Sequence, residues 1–304
     1  MLLALFLSLS APHLIHAAML TDQAGRRVLV PEHPQRVVAL APNITEIVFS
    51  LGKGAILCGA TTYSNFPPAA ARLPRVGSYV HLDLERIVAL RPDLCIAIKD
   101  GNPRSVVDRL ERLGIPVYAV QPRDLAGVMA TVTELGRLLG ARDEAAELVA
   151  SIASCVAAVK EAVEGTGLRP RVFFQIGVSP IVSVGTGTLI HQLITMAGGR
   201  NCTEGPLPYP RLDWEDVLTL QPDVVIITSM EGDRARKEAV REWSRWQAVP
   251  AVRDRRVYLV SSDLFDRPSP RLVRALTVLA RLMHPELNIE ECPLSVPAAS
   301  PASY

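Results

Sequence analysis

No block of clustered lysine and arginine occurs in these 304 residues, and the formal charge is only +1. A nucleic-acid partner is therefore not expected, because phosphate binding needs cations gathered on one face. Cys-x-x-Cys spacing is missing, and the six histidines form no His-Glu-x-x-His constellation, so no zinc site is indicated. Cys58, Cys95, Cys155, Cys202 and Cys292 are an odd number at irregular spacing. The first three sit inside apolar runs and read as small buried hydrophobes, and spacing alone assigns no disulfide. The Gly-x-Ser-x-Gly elbow of an α/β-hydrolase is absent, since Gly177-Val178-Ser179-Pro180-Ile181 lacks the final glycine, and there is no P-loop. Gly185-Thr186-Gly187-Thr188 begins like a dinucleotide fingerprint without its third glycine and reads as a tight turn opening a helix. These absences leave an α/β enzyme as a remote alternative, and neither catalysis nor a resident cofactor is expected.

What is present starts with an apolar leader. Met1 to Ala18 runs through Leu2, Leu3, Leu5, Phe6, Leu7 and Leu9 to small residues at Ala17 and Ala18, which suits a signal peptide despite the lack of a leading Lys or Arg. No lipid-accepting cysteine follows it, and no later run of about 18 apolar residues occurs, so a soluble periplasmic protein is expected. Apolar residues make up 49% of the chain and charged residues 21%, a globular balance. The length suits two lobes of roughly 120 residues each.

Strand-like and helix-like runs alternate, which predicts a parallel sheet covered by helices. Val37–Leu40, Ile56–Ala60, Leu94–Ile98 and Val117–Val120 read as strands; Ile44–Leu51 and Arg104–Leu113 read as helices. An internal echo implies two similar lobes: Leu84-Glu85-Arg86-Ile87-Val88-Ala89-Leu90-Arg91-Pro92-Asp93 resembles Trp214-Glu215-Asp216-Val217-Leu218-Thr219-Leu220-Gln221-Pro222-Asp223. Each copy is a short helix ended by Pro-Asp and followed by a buried strand. Between the copies, Gly140 and Gly165 bracket a stretch free of Gly and Pro, in which Leu148, Val149, Ile152, Val156, Val159 and Val163 recur at helical spacing. That segment would form a helix of roughly 35 Å, long enough to bridge two lobes. The organisation expected is a signal peptide at 1–18, an N-terminal lobe at 19–140, a connecting helix at 141–166, a C-terminal lobe at 167–287 and a loose tail at 288–304.

Four segments then carry a family resemblance: Arg36-Val37-Val38-Ala39-Leu40-Ala41-Pro42-Asn43-Ile44-Thr45-Glu46, Tyr63-Ser64-Asn65-Phe66-Pro67-Pro68, the Leu84 to Asp93 stretch, and Ser262-Asp263-Leu264-Phe265-Asp266-Arg267-Pro268-Ser269-Pro270-Arg271. Together, in this order, they resemble the periplasmic binding proteins for iron complexes, haem and cobalamin, with the cobalamin binders as the strongest likeness. The resemblance implies two Rossmann-like lobes joined by one long helix, and a cleft ligand delivered to an ABC permease dimer with its ATPase subunits by a monomeric receptor. It implies ligand contacts at Tyr63, Tyr79 and Tyr209, with Asp263 and Arg267 as a polar pair at the cleft mouth. Aromatic rings suit a corrin, a broad apolar disc fringed with amides. Tyr79 and Tyr209 stand where cobalamin binders tend to carry Trp, and Ile98 where another aromatic is common, which keeps haem and ferric siderophores open as ligands. The resemblance further implies that Glu85 and Glu215, at matching positions of the echo, pair with arginines of the two permease subunits; taken alone, a Glu in a first helical turn serves the helix dipole.

Overall fold

The computed structural model describes residues 17–228 and 233–292. The described residues open with an antiparallel hairpin, β1 (Ala17–Thr21) and β2 (Arg27–Pro31). The first lobe follows as β3 (Val37–Ala39), α1 (Pro42–Ser50), β4 (Leu57–Ala60), α2 (Leu84–Ala89), β5 (Leu94–Ile98), α3 (Arg104–Arg112), β6 (Val117–Val120) and α4 (Leu125–Leu138). Then comes α5 (Arg142–Glu164), of 23 residues. The second lobe contains β7 (Arg171–Gln175), β8 (Ile181–Val182), α6 (Leu189–Met196), β9 (Arg200–Asn201), β10 (Arg211–Leu212), α7 (Trp214–Thr219) and β11 (Val224–Ile227). It ends with α8 (Asp233–Trp243), α9 (Pro250–Arg253), β12 (Val257–Leu259), α10 (Ser262–Phe265) and α11 (Leu272–Met283).

Each lobe is built on a four-stranded sheet, in the order β4-β3-β5-β6 and β12-β11-β7-β9, with every neighbouring pair parallel. Helices cover both faces of such a sheet, so its strands are apolar throughout: Val37–Ala39, Val117–Val120 and Val224–Ile227 are wholly buried.

The sequence echo has a structural cause. Asp83 and Asp213 occupy the N-cap positions of α2 and α7, each accepting from the backbone N–H three residues on. Both helices stop before Pro, and the residues that reverse the chain, Arg91 (φ 47°) and Gln221 (φ 43°), sit in the left-handed region in both copies. The aspartates after each Pro then close the sheet. Asp93 accepts from the backbone N–H groups of Gln35 and Arg36, at 2.7 and 3.1 Å, beside β3; Asp223 accepts from Arg171 N–H at the start of β7, at 2.8 Å.

Helix α5 joins the lobes. Its buried face, Leu148, Ile152, Cys155, Val159 and Val163, recurs every three or four residues and packs on α4 of the first lobe and on α6 and α11 of the second. The approach of α4 to α5 needs Gly136, where a Cβ would fall 2.3 Å from that of Ala145.

Three expectations are corrected. The loose tail does not begin at Asn288: Ile289 and Cys292 are buried, Arg281 Nε donates to the Ile289 carbonyl at 2.7 Å, and Arg274 pairs with Glu291 at 2.8 Å, because this segment folds back over α11. Cys58 is half-buried, while Cys95 and Cys155 are buried. Helix α1 starts at Pro42, two residues before the expected Ile44, since Pro suits a first helical turn. Of the expected signal segment 1–18, residues 1–16 lie outside the described residues, and Ala17 and Ala18 pair with Pro31 and Val30 in the hairpin. Residues 293–304 of the expected tail also lie outside them.

Candidate functional site

A cleft of about 690 Å³ opens between the lobes, a volume in the range of small-molecule sites. Its wall from the first lobe includes Asn43, Tyr63, Tyr79, His81, Ile98 and Asp100; from the second come Tyr209, Asp263, Asp266 and Arg267. All five residues expected to meet a ligand, Tyr63, Tyr79, Tyr209, Asp263 and Arg267, line this one space.

The tyrosines are held by polar scaffolding beneath them. Ser64, next to Tyr63, is buried, hydrogen-bonded to Thr45 Oγ1 and Thr61 Oγ1 at 2.9 Å each. Arg75 Nη1 donates to the carbonyls of Thr61 and Ser64, at 2.8 and 2.9 Å. With its neighbour anchored inward, Tyr63 is left 56% exposed on the cleft side. The Tyr79 carbonyl accepts from Asn102 Nδ2 at 2.8 Å; the same buried amide bonds the Leu40 carbonyl at 2.8 Å and the Ile98 N–H at 2.7 Å. Asn102 thus ties the Tyr79 loop to the ends of β3 and β5. Tyr209 is 60% exposed, on a segment fixed by bonds from Gly185 N–H to Pro208 and from Ser183 N–H to Pro210. Only glycine fits at 185, where a Cβ would lie 1.9 Å from the Leu207 carbonyl oxygen.

Asp263 and Arg267 take part in more than the expected pair. The Arg267 guanidinium, which is 10% exposed, donates through Nη2 to Asp263 and through Nη1 to Asn65 Oδ1 at 2.7 Å and Glu46 Oε1 at 3.0 Å. Asn65 Nδ2 in turn donates to Asp263 Oδ2 at 2.7 Å. Glu46, 1% exposed, also accepts from Arg271 Nη1 at 3.1 Å and Ser269 Oγ at 2.6 Å. The Arg271 guanidinium lies 3.9 Å over the Phe66 ring. Glu46, Asn65 and Phe66 belong to the first lobe; Asp263, Arg267, Ser269 and Arg271 belong to the second. The network is a polar latch between lobes that includes two cleft-lining residues, Asp263 and Arg267, and most of the Arg267 hydrogen-bonding capacity is spent inside it.

Reasoning from sequence alone assigned no role to Glu46, Asn65, Ser269 or Arg271. The signal was there: Glu46 interrupts the apolar run Ile44, Ile47, Val48, Phe49, and a buried carboxylate demands a cationic partner. Asp266 was also missed. It lines the cleft, is exposed, and makes no side-chain hydrogen bond among the described residues. The desolvating wall around it raises its pKa to about 7, helped by the Asp263 charge and opposed by Arg267.

Glu85 and Glu215 lie away from the cleft, each exposed in the first turn of its helix, α2 and α7, and neither pairs with a cation among the described residues. Also among the described residues, no three His, Cys, Asp or Glu side chains are grouped to hold a metal ion, and no helix is long and apolar enough to cross a membrane.

Known proteins are similar to this chain in sequence and in fold. The vitamin B12-binding protein of Vibrio campbellii is 32% identical over 247 residues, covering 80% of this chain and 87% of that protein. The crystal structure of the periplasmic vitamin B12 binding protein of Vibrio cholerae superposes with a TM-score of 0.72 at 27% identity, over 82% of this chain and 96% of that one. A periplasmic heme binding protein from Pseudomonas aeruginosa does so with a TM-score of 0.77 at 28% identity, over 86% and 96%. Residues 37–264 match the family model described as periplasmic binding protein. Two parallel-sheet lobes, one helix joining them, a cleft walled by both, and a family match over most of its length: this chain belongs to the periplasmic binding protein family, whose members bind substrates rather than transform them.

Proposed function

We propose that this protein is the substrate-binding component of an ABC importer that takes cobalamin or a related corrinoid into the cleft and delivers it to its permease. The observation that carries the reading is the convergence of three phenol rings, Tyr63, Tyr79 and Tyr209, from both lobes on one space of about 690 Å³. Flat rings with a polar tip match a ligand whose faces are apolar and whose fringe is amide. The buried latch and the single connecting helix oppose wide lobe motion, so affinity rests on shape match in a largely preformed cleft. The loaded protein then docks through Glu85 and Glu215, and ATP-driven rearrangement of the permease parts the lobes.

A second reading, haem, is favoured by His81 and the phenols in the same wall, since either group is an axial ligand of haem iron. A trianionic ferric siderophore fits less well. Arg267 is already bonded to Glu46 and Asp263, and Asp266 adds a carboxyl to the wall, leaving little cationic charge for an anion. Calorimetric titration of the apo protein against cobalamin, haem and a ferric siderophore tests the proposal. Saturable binding of cobalamin in preference to the other two is expected, and selective binding of haem or the siderophore overturns it.

A further inference from the structure

Charge in the cleft wall is mostly cancelled by partners within the protein. Arg267 donates to Asp263, Asn65 and Glu46, and Arg271 donates to the same Glu46. Asp263 is held from two sides, by Arg267 and by Asn65 Nδ2 at 2.7 Å. In the first lobe, Asp100 accepts from Gln121 Nε2 at 2.5 Å and lies 3.6 Å from Arg123 Nε. The remaining ionisable side chains of the wall, His81 and the three tyrosines, add no carboxylate. Asp266 is the exception: neither a hydrogen bond nor an ion pair engages its carboxyl among the described residues. Its place is fixed by the backbone. It is the C-cap residue of α10, with its N–H bonded to the Ser262 carbonyl at 2.8 Å, and its neighbours Phe265 and Arg267 are both buried. Arg267, the one arginine of the wall, spends its guanidinium on other partners.

We propose that Asp266 sets the charge class of the ligand: the cleft selects corrinoids that carry a net positive charge over neutral ones of the same shape. The inference rests on the corrinoid reading above. A corrinoid is positive when its cobalt(III) holds a neutral upper axial ligand such as water, and neutral when that ligand is an anion such as cyanide. In the empty cleft, water solvates the Asp266 carboxylate. A bulky neutral ligand strips that water and returns no charge, whereas a cation replaces the lost solvation with attraction. Walls of low dielectric let this attraction reach across the space. The surroundings of Asp266 already burden its charged form, through burial first and the Asp263 charge second, so a cationic ligand relieves a cost that a neutral one deepens. The other acids of the wall contribute less, because Asp263 and Asp100 each have a guanidinium beside them.

Isothermal titration of the whole chain with aquocobalamin and with cyanocobalamin, at about pH 7.5 and low ionic strength, tests this. The Kd for aquocobalamin should be about two- to fivefold below that for cyanocobalamin, the scale of one partly solvated charge pair. That ratio should shrink toward one when ionic strength rises from about 0.01 M to about 1 M, where the screening length falls from about 30 Å to about 3 Å. It should shrink likewise at about pH 5.5, where Asp266 holds its proton. Asp266→Asn keeps the shape and removes the charge, so it should bring the ratio to one at either pH, wherever the Kd of the neutral ligand itself falls. His81→Ala separates charge from coordination, since an imidazole can displace the water on cobalt, and the preference should survive it. A ratio of one in the parent chain at low salt overturns the proposal, as does a preference that persists in Asp266→Asn or vanishes in His81→Ala. Equal binding of the two corrinoids leaves the corrinoid reading standing without the charge rule; binding of neither ends both.

Discussion

Two side chains of the cleft carry opposite lessons at the scale of the residue. Tyr63 presents its ring because Ser64 is tied inward, so truncation removes contact area and leaves the loop in place. Tyr63→Ala should weaken ligand binding by about 1–3 kcal/mol, as for other aromatic contacts at a binding site, with little change in stability. Isothermal titration beside a urea melt checks this; an unchanged Kd removes Tyr63 from the site. Asp266 bears on pH instead. Its folded pKa, about 7, exceeds that of an unfolded aspartate, so the folded state holds a proton that the unfolded chain has lost. The sign follows from linkage: stability from this group is highest below the unfolded pKa and falls as pH rises toward about 7. Asp266→Asn cancels that slope. The variant should gain on the parent protein between about pH 5 and about pH 8, by an amount that solvent on the cleft side keeps small. A difference in urea midpoint that is the same at both pH values removes Asp266 as a titrating group.

At the scale of elements, the latch depends on one helix delivering a carboxylate to two arginines. Among the described residues, Glu46 on α1 is the one acid that both Arg267 and Arg271 share, and all three side chains are largely shielded from water. Glu46→Ala leaves two cations facing each other without their counter-charge, a loss of about 3–5 kcal/mol for a buried pair broken from one side. Urea denaturation measures it, and a cost below about 1 kcal/mol would mean the network is solvated and does not hold the lobes. The latch also marks where reading a sequence stops. Strands β5 and β6 were legible to the residue, and α5 nearly so, because continuous burial and helical periodicity are written in neighbouring positions. The Pro-Asp echo was legible for the same reason. Glu46 and Arg267 are 221 residues apart, and nothing local in either segment names the other. The opening hairpin escaped as well: its alternating pattern is short and its partner for packing, β6, comes much later in the chain. Of the cleft, the five residues expected at the site were found together, but the commitment of Arg267 to three protein partners was invisible until both lobes were seen at once.

At the scale of the molecule, the repeat that the two lobes share also sets the outer surface. Glu85 and Glu215 occupy the second position of helices that begin with the same aspartate cap and end with the same left-handed turn, so the two lobes present matched carboxylates that pair with no cation among the described residues. A receptor that docks on a two-fold permease needs such a match, because each half must offer the same charge to an equivalent subunit. Neither glutamate lines the cleft, so reversing them leaves the ligand site intact. Glu85→Lys combined with Glu215→Lys should abolish uptake in cells carrying the cognate permease while the Kd for ligand stays unchanged, and each single change should leave partial transport. Retained uptake in the double variant would end the docking role. Loss of ligand affinity in the purified double variant would do the same, since it would mean the two carboxylates support the cleft from a distance rather than the contact with the permease.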